Sequence, residues 1–243
     1  MNFNIDIKQL LLYEDDDYII VNKPAGLLTI PDRFDIFKEN LLEILERYYN
    51  KVYIIHRIDK GTSGIVCFAK NSLAHKELTK RFFLHEVEKT YICIVYGKVP
   101  TKEGKIQLPI AEDKNNPQKI IIDFKEGKEA VTYYKVLEEF KDYTFLEIKP
   151  ITGRRHQIRI HLATIGYPIV ADELYSNYNC FYLSSIKKNY KNKEKEKPLI
   201  ERPALHSYKI KFFHFRKQKY MEFIAPLPKD LQLLLKYLRK YNT

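Results

Sequence analysis

The chain has no tryptophan and only three cysteines, Cys67, Cys93 and Cys180, and no two of them form a CxxC pair. That excludes a zinc ribbon and a disulfide framework, and it suits a reducing compartment. No HExxH occurs, and His156 and His161 are five residues apart, the wrong spacing for two ligands on one helical face. No metal site is expected. No apolar run approaches the roughly 18 residues needed to span a membrane. The opening MNFNIDIKQLLLYEDDD lacks a basic start followed by a long apolar core, so no signal peptide is expected and a cytoplasmic location follows. Acidic residues are also in short supply. The 243 residues hold 31 Asp and Glu against 42 Lys and Arg, a formal charge of +11. A polyanion is the natural partner of such a surface, although simple solubility or an anionic membrane surface would also account for it.

What is present is a globular composition, 45% hydrophobic, with 19 Tyr and 14 Phe. Most of these rings belong to a core, and a few beside basic residues are suited to stack on bases. YIIVNK at 18–23 reads as a buried strand ended by the turn Pro24-Ala25-Gly26. KENLLEILERYY at 38–49 places Leu41, Leu42, Leu45 and Tyr49 on one helical face. Asn71-Ser72 predicts the cap of a helix with the apolar row Ala74, Leu78 and Phe82. Strands are predicted within 87–99 and at 105–110, 119–124, 130–138, 143–149, 205–215 and 219–224, with FKDY at 140–143 as a hairpin connection. A C-terminal helix is predicted over DLQLLLKYLRKY, capped by Asp230. Strands and helices do not alternate regularly, so the fold class is α+β, with a mixed, mainly antiparallel β-sheet core flanked by helices and loops. No repeat or linker cuts the chain into independent domains. Residues 187–197, KKNYKNKEKEK, hold six Lys and two Glu and form a basic loop insert, either a solvated surface loop or a finger touching RNA phosphates.

Three stretches carry candidate chemistry. In HRIDKGTSG at 56–64, Asp59 is the one acid among His56, Arg57 and Lys60. Neighbouring cations favour an ionised carboxylate, suited to act as nucleophile or base, and Gly61 and Gly64 permit tight turns. A surface ion pair in a turn is the plainer reading. In TGRRHQIRIHLATIGYPIVADELY at 152–175, Arg154, Arg155, His156, Gln157, Arg159 and His161 crowd together. If this segment is helical, Arg155 and Arg159 share a face, and several guanidinium groups near a helix start suit phosphate. One of the arginines could instead reach Asp59. A solvated basic helix is opposed by Ile158, Ile160 and Leu162, which need burial. In EKTYICIVYG at 88–97, Tyr91 near the start of a strand is by itself consistent with core packing.

Together these stretches resemble the RluA-type RNA pseudouridine synthases. DDDYIIVNKPAGLL at 15–28, HRIDKGTSGIVCFAK at 56–70, EKTYICIVYGKV at 88–99 and TGRRHQIRIHLATIGYPIVADELY at 152–175 match that family's motifs in its order, with a weaker match at LHSYKIKFFHF, 205–215. The resemblance implies the pseudouridine synthase fold: a single catalytic domain over 1–243, with two subdomains around a central cleft. It implies Asp59 as catalytic carboxylate, Tyr91 stacking on the target base and Arg159 paired with the carboxylate. Arg57 would help hold a flipped nucleotide, and His56, Thr62, Arg154, Arg155, His156 and Gln157 would contact substrate RNA. The partner would be ribosomal or transfer RNA, the enzyme a monomer, and no cofactor, metal or membrane would be needed. Two departures stand out: the family often has Gly-Asp and Tyr-Gly where this chain has Ala171-Asp172 and Tyr175-Ser176. About 14 residues precede the first motif, so the S4 RNA-binding domain that many members carry is expected to be absent. Two other readings stay open on the residues alone. One is a non-catalytic RNA-binding protein. The other is a glycoside hydrolase, which would need a second carboxylate such as Glu86 or Glu88 near Asp59.

Overall fold

Tyr18–Lys23 is a strand whose first four residues are all buried, as expected of an aromatic and β-branched run with no polar alternation. The computed structural model describes residues 6–32, 35, 37–191 and 196–243. In chain order its elements are α1 (Ile7–Leu10), β1 (Leu11–Glu14), β2 (Tyr18–Lys23), α2 (Leu41–Tyr49), β3 (Tyr53–Ile54), β4 (Ser63–Ala69), α3 (Ser72–Phe83) and β5 (Glu88–Tyr96). They continue with β6 (Glu103–Gln107), β7 (Ile110–Glu112), β8 (Ile120–Ile122), β9 (Val131–Glu139) and β10 (Tyr143–Pro150). The chain ends with α4 (Gln157–Thr164), β11 (Leu205–His214), β12 (Lys219–Ile224) and α5 (Lys229–Tyr241). Among the described residues no helix is long and apolar enough to cross a membrane.

The contacts divide the chain into two units, one of Met1–Lys89 with Ser207–Pro226 and one of Thr90–His206 with Leu227–Thr243. In the first unit β2 pairs antiparallel with β1 and β4, β3 with β4, and β11 with β12. Its core gathers Tyr18, Ile20, Ile65, Cys67, Leu78 and Phe212. Helix α3 is capped by Asn71, whose side chain accepts from the Ala74 N–H at 2.9 Å, and buries Ala74 and Leu78. In the second unit β10 pairs antiparallel with β5 and β9, β9 with β6, and β7 with β8. Its larger core runs from Cys93 and Val95 through Leu146 and Leu162 to Leu234 and Leu238 of α5. The class is α+β with mainly antiparallel pairing, as the irregular order of predicted elements suggested.

Several local expectations are corrected. The strand predicted at 105–110 is split between β6 and β7, because Pro109 has no amide hydrogen with which to continue a ladder. Asp230 does not cap α5; Pro228 holds that position. Asp230 sits in the first turn, where its carboxylate takes a bidentate pair from Arg202 at 2.7 and 2.8 Å and complements the positive end of the helix dipole. Helix α4 begins at Gln157, after His156 in a left-handed conformation (φ 53°), so Arg155 lies outside the helix and shares no helical face with Arg159. Within the basic insert, residues 192–195 lie outside the described residues. Its near flank is held by Ile186 in the core and by Lys187, whose ammonium lies 5.5 Å from the Tyr241 ring centre.

Candidate active site

The loop carrying Asp59 runs from β3 to β4 and is tied to the turn that follows β2. Lys23 is fully buried, and its ammonium donates to the carbonyls of Pro24 (2.9 Å), Leu27 (2.7 Å) and Lys60 (3.4 Å). A buried ammonium is tolerated only when its donors are satisfied, so the side chain acts as a bolt through both loops. The Gly26 N–H donates to the Lys60 carbonyl at 2.8 Å, and the Thr29 hydroxyl donates to the Ile58 carbonyl at 3.0 Å. The Thr62 N–H closes a turn on the Asp59 carbonyl at 3.0 Å. These bonds fix the backbone on both sides of Asp59, which is itself partly exposed. Thr62 is buried and Arg57 exposed.

The β4 end of the loop depends on Gly64. Its φ is 112°, a region open mainly to glycine, and a Cβ there would lie 2.2 Å from the Ser207 carbonyl oxygen on β11. Gly64→Ala should therefore destabilise the protein by about 3 kcal/mol, combining backbone strain with a clash that neither strand can relieve. Urea denaturation measures this, and an unchanged midpoint would contradict it.

His56 turns inward. Its Nε2 accepts the Cys67 N–H at 3.1 Å, which places the ring proton on Nδ1, and the ring stacks on Phe82 at 4.8 Å. Burial, with a lesser contribution from nearby Lys89, pushes its pKa down to about 3. Burial also lowers the Lys89 ammonium to about 8. A depressed histidine pKa means that the unfolded chain takes up a proton which the folded chain refuses. The resulting stability is present above the unfolded pKa near 6.5 and is lost as pH falls from there towards the folded value. Between pH 6.5 and 4.5 the contribution of His56 should approach about 1.4 kcal/mol per pH unit. His56→Gln, which keeps an acceptor for Cys67, should flatten the pH dependence of the urea midpoint in that window. The part due to His161, also lowered by burial, would remain. Identical slopes in the two proteins would refute the assignment.

In the second unit the arginine-rich stretch divides its labour. Gln157 is 3% exposed. Its Oε1 accepts from the Thr152 hydroxyl (2.7 Å) and the Arg154 N–H (3.1 Å), while its Nε2 donates to the Val131 carbonyl and the Thr132 hydroxyl, both at 3.0 Å. His161 completes this network: Nε2 donates to the Leu108 carbonyl at 3.0 Å, leaving Nδ1 to accept from Thr132 at 2.9 Å. Arg155 donates to the carbonyls of Pro117 (2.6 Å) and Lys119 (3.3 Å) beside β8. His156 Nδ1 meets the Tyr175 hydroxyl at 2.9 Å, and that hydroxyl accepts the Ile120 N–H at 2.8 Å. Arg155, His156 and Gln157, expected at the RNA, thus serve in large part to hold the β7–β8 hairpin and the start of α4. Arg154 is exposed.

Arg159 is 7% exposed and makes a bidentate pair with Asp172, which is fully buried, at 2.7 and 2.6 Å. Its guanidinium lies 5.1 Å from the centre of the Tyr175 ring. The plane of the group is therefore set from two sides. Asp172 follows Ala171, whose φ of 58° is left-handed. The backbone thus adopts a shape natural to glycine without having one there. The sequence assigns no role to Asp172, Tyr175 or Lys23. The ADELY tail and the KPAG turn carried the signal, but only as parts of motifs. Tyr91, half-buried on β5, stands opposite Ile148 of β10.

Glu86 and Glu88, the alternative second carboxylates, are exposed and paired with Arg81 (2.9 Å) and Lys211 (3.0 Å). Neither is held in a buried setting of the kind a glycosidase acid needs.

Comparison with known proteins agrees with the motif order. The family described as RNA pseudouridylate synthase matches residues 17–164. The chain is 33% identical over 238 residues, 95% of its length and 73% of the relative's, to the uncharacterized RNA pseudouridine synthase YlyB of Bacillus subtilis (strain 168). It is 37% identical over 169 residues, 69% of its length and 77% of the relative's, to the dual-specificity RNA pseudouridine synthase RluA of Escherichia coli (strain K12). The ribosomal large subunit pseudouridine synthase D of Buchnera aphidicola subsp. Acyrthosiphon pisum is 36% identical over 232 residues, 93% of this chain and 72% of that one. In fold, the chain is similar to human RNA pseudouridylate synthase domain containing 4, with a TM-score of 0.75 at 23% identity over 96% of this chain and 94% of that one. An aspartate loop bolted by a buried lysine and a clamped arginine thus occur in a chain that belongs to the RNA pseudouridylate synthase family, of RluA type, and is a pseudouridine synthase.

Proposed function

We propose that the enzyme isomerises specific uridines of ribosomal or transfer RNA, with Asp59 as the catalytic carboxylate acting on a nucleotide flipped out of the RNA. The reaction breaks the bond between N1 and C1′ of the nucleoside and forms one between C5 and C1′. C5 gives up its proton and N1 ends protonated, so nothing is added or lost. The observation that carries the reading is the loop architecture. Lys23, Gly26 and Thr29 hold the backbone of residues 58–60 while the Asp59 side chain keeps partial access to solvent. Such preorganisation is what a group acting at a sugar carbon requires.

Tyr91 stacks on the uracil while it turns, and Arg159 steadies the negative charge of Asp59. Arg57 and Arg154, both exposed, take RNA phosphates. Flipping costs a few kcal/mol, and phosphate contacts offset it, so binding weakens steeply with salt. Unmodified transcripts of ribosomal and transfer RNA, incubated with the purified enzyme and read by carbodiimide-dependent primer extension, test the substrate. Pseudouridine at discrete positions of either RNA is the expected result, and none in both would defeat the substrate assignment.

A further inference from the structure

Three adjacent strands of the second unit present an ordered pattern that the catalytic reading leaves unused. Tyr133 of β9 stands opposite Lys105 of β6 on one side and Lys149 of β10 on the other. The next outward-facing row places Lys135 between Glu103 and Glu147. Neighbouring strands lie about 5 Å apart, so Tyr133 has a lysine on each side, with the Lys149 ammonium leaning to Glu147 of its own strand at 3.4 Å on a solvent-exposed side chain. The Lys105 ammonium is 6.0 Å from the ring centre. Tyr133 is 43% exposed, and these six residues line a concavity of about 570 Å³. A space of that size suits a small organic group such as a nucleotide.

We propose that this sheet face is an auxiliary binding site for single-stranded RNA, in which a base stacks on Tyr133 and the flanking phosphates meet Lys105 and Lys149. An exposed aromatic ring between cations is the arrangement that takes a base and its backbone together. The acidic row limits the path: phosphates follow the Tyr133 row and avoid Glu103 and Glu147. A protein partner fits less well, because interface centres are depleted in lysine and glutamate. None of the six side chains belongs to the Asp59 loop or the arginine-rich stretch. The inference rests on the chain acting on RNA, but not on Asp59 being the catalytic group.

A twelve-nucleotide oligouridylate carrying one 5-iodouridine is the probe, with the full chain. Irradiation should give an adduct on Tyr133, located by mass spectrometry. Tyr133→Ala should weaken oligouridylate binding by about 5- to 100-fold, while Tyr133→Phe keeps it. Replacing Lys105 and Lys149 by Ala should lower the slope of log K against log salt by about 1.4, the value for two single-strand phosphates. The turnover number on saturating substrate RNA should not change in any of these variants. Asp59→Asn should bind the probe as the parent does, which separates a failure of this site from a failure of the catalytic assignment. Adducts only elsewhere, or parent-like affinity in folded Tyr133→Ala, would overturn the proposal. So would a dimer in sedimentation that Tyr133→Ala dissociates, since a second copy would then occupy the face.

Discussion

Asp59→Asn should lower the rate of pseudouridine formation by about 10³- to 10⁴-fold, the usual scale for loss of a positioned acid–base or nucleophilic carboxylate. RNA affinity should stay within a few-fold, because the substitution removes one charge and almost no contact surface. The fold should be unaffected as well. The Lys60, Ile58 and Asp59 carbonyls and the Thr62 amide, which carry bonds that shape the loop, are left in place by the substitution. Single-turnover assays with enzyme in excess of RNA separate chemistry from binding. A rate within about tenfold of the parent would remove Asp59 from the reaction.

Asp172→Ala should cost about 3–5 kcal/mol of stability, the price of leaving a buried cation without its counter-ion. Arg159 is 7% exposed and Asp172 is fully buried, so water reaches neither well. The Leu174 N–H, 3.2 Å from Asp172 Oδ1, loses an acceptor as well. Urea denaturation gives the stability directly. The double replacement Arg159→Met with Asp172→Leu should recover much of that loss, since an apolar pair of similar volume is often as stable as a buried ion pair. It should not recover activity if Arg159 serves the catalytic carboxylate as proposed. Asp172→Asn, which keeps the size but weakens the clamp, should still lower turnover by about 100-fold, because the guanidinium plane is no longer fixed. A double variant that regained both stability and turnover would reduce the pair to a structural role.

Much of the fold was legible because its signals are local. β2 spans Tyr18–Lys23 as the buried run suggested, and Asn71 caps α3 because its short amide reaches an amide hydrogen three residues on. The hairpin at 140–142 joins β9 and β10 as the polar break between two β-rich runs suggested. The errors arose where a local rule met a competing tertiary partner. Asp230 has cap chemistry, but Arg202, 28 residues earlier in the chain, claims its carboxylate. Arg155 and Arg159 have helical spacing, but His156 in the left-handed region starts the helix after Arg155.

The sequence by itself determined the α+β class, the positions of most of the strands and helices, though not of α1, β1, β3 or the start of α4, and the four stretches that mark the family. Each of these depends on side-chain period, capping chemistry or residue order, which act over a few residues. Only the tertiary structure decided what each polar side chain does. Gln157 and His161 proved to be internal struts, His56 a neutral support for β4, Lys23 the bolt of the Asp59 loop, and Asp172 the clamp on Arg159. The physical reason is that a donor or acceptor removed from water takes whichever partner the packed chain brings within 3 Å or so, and that partner is often distant in sequence.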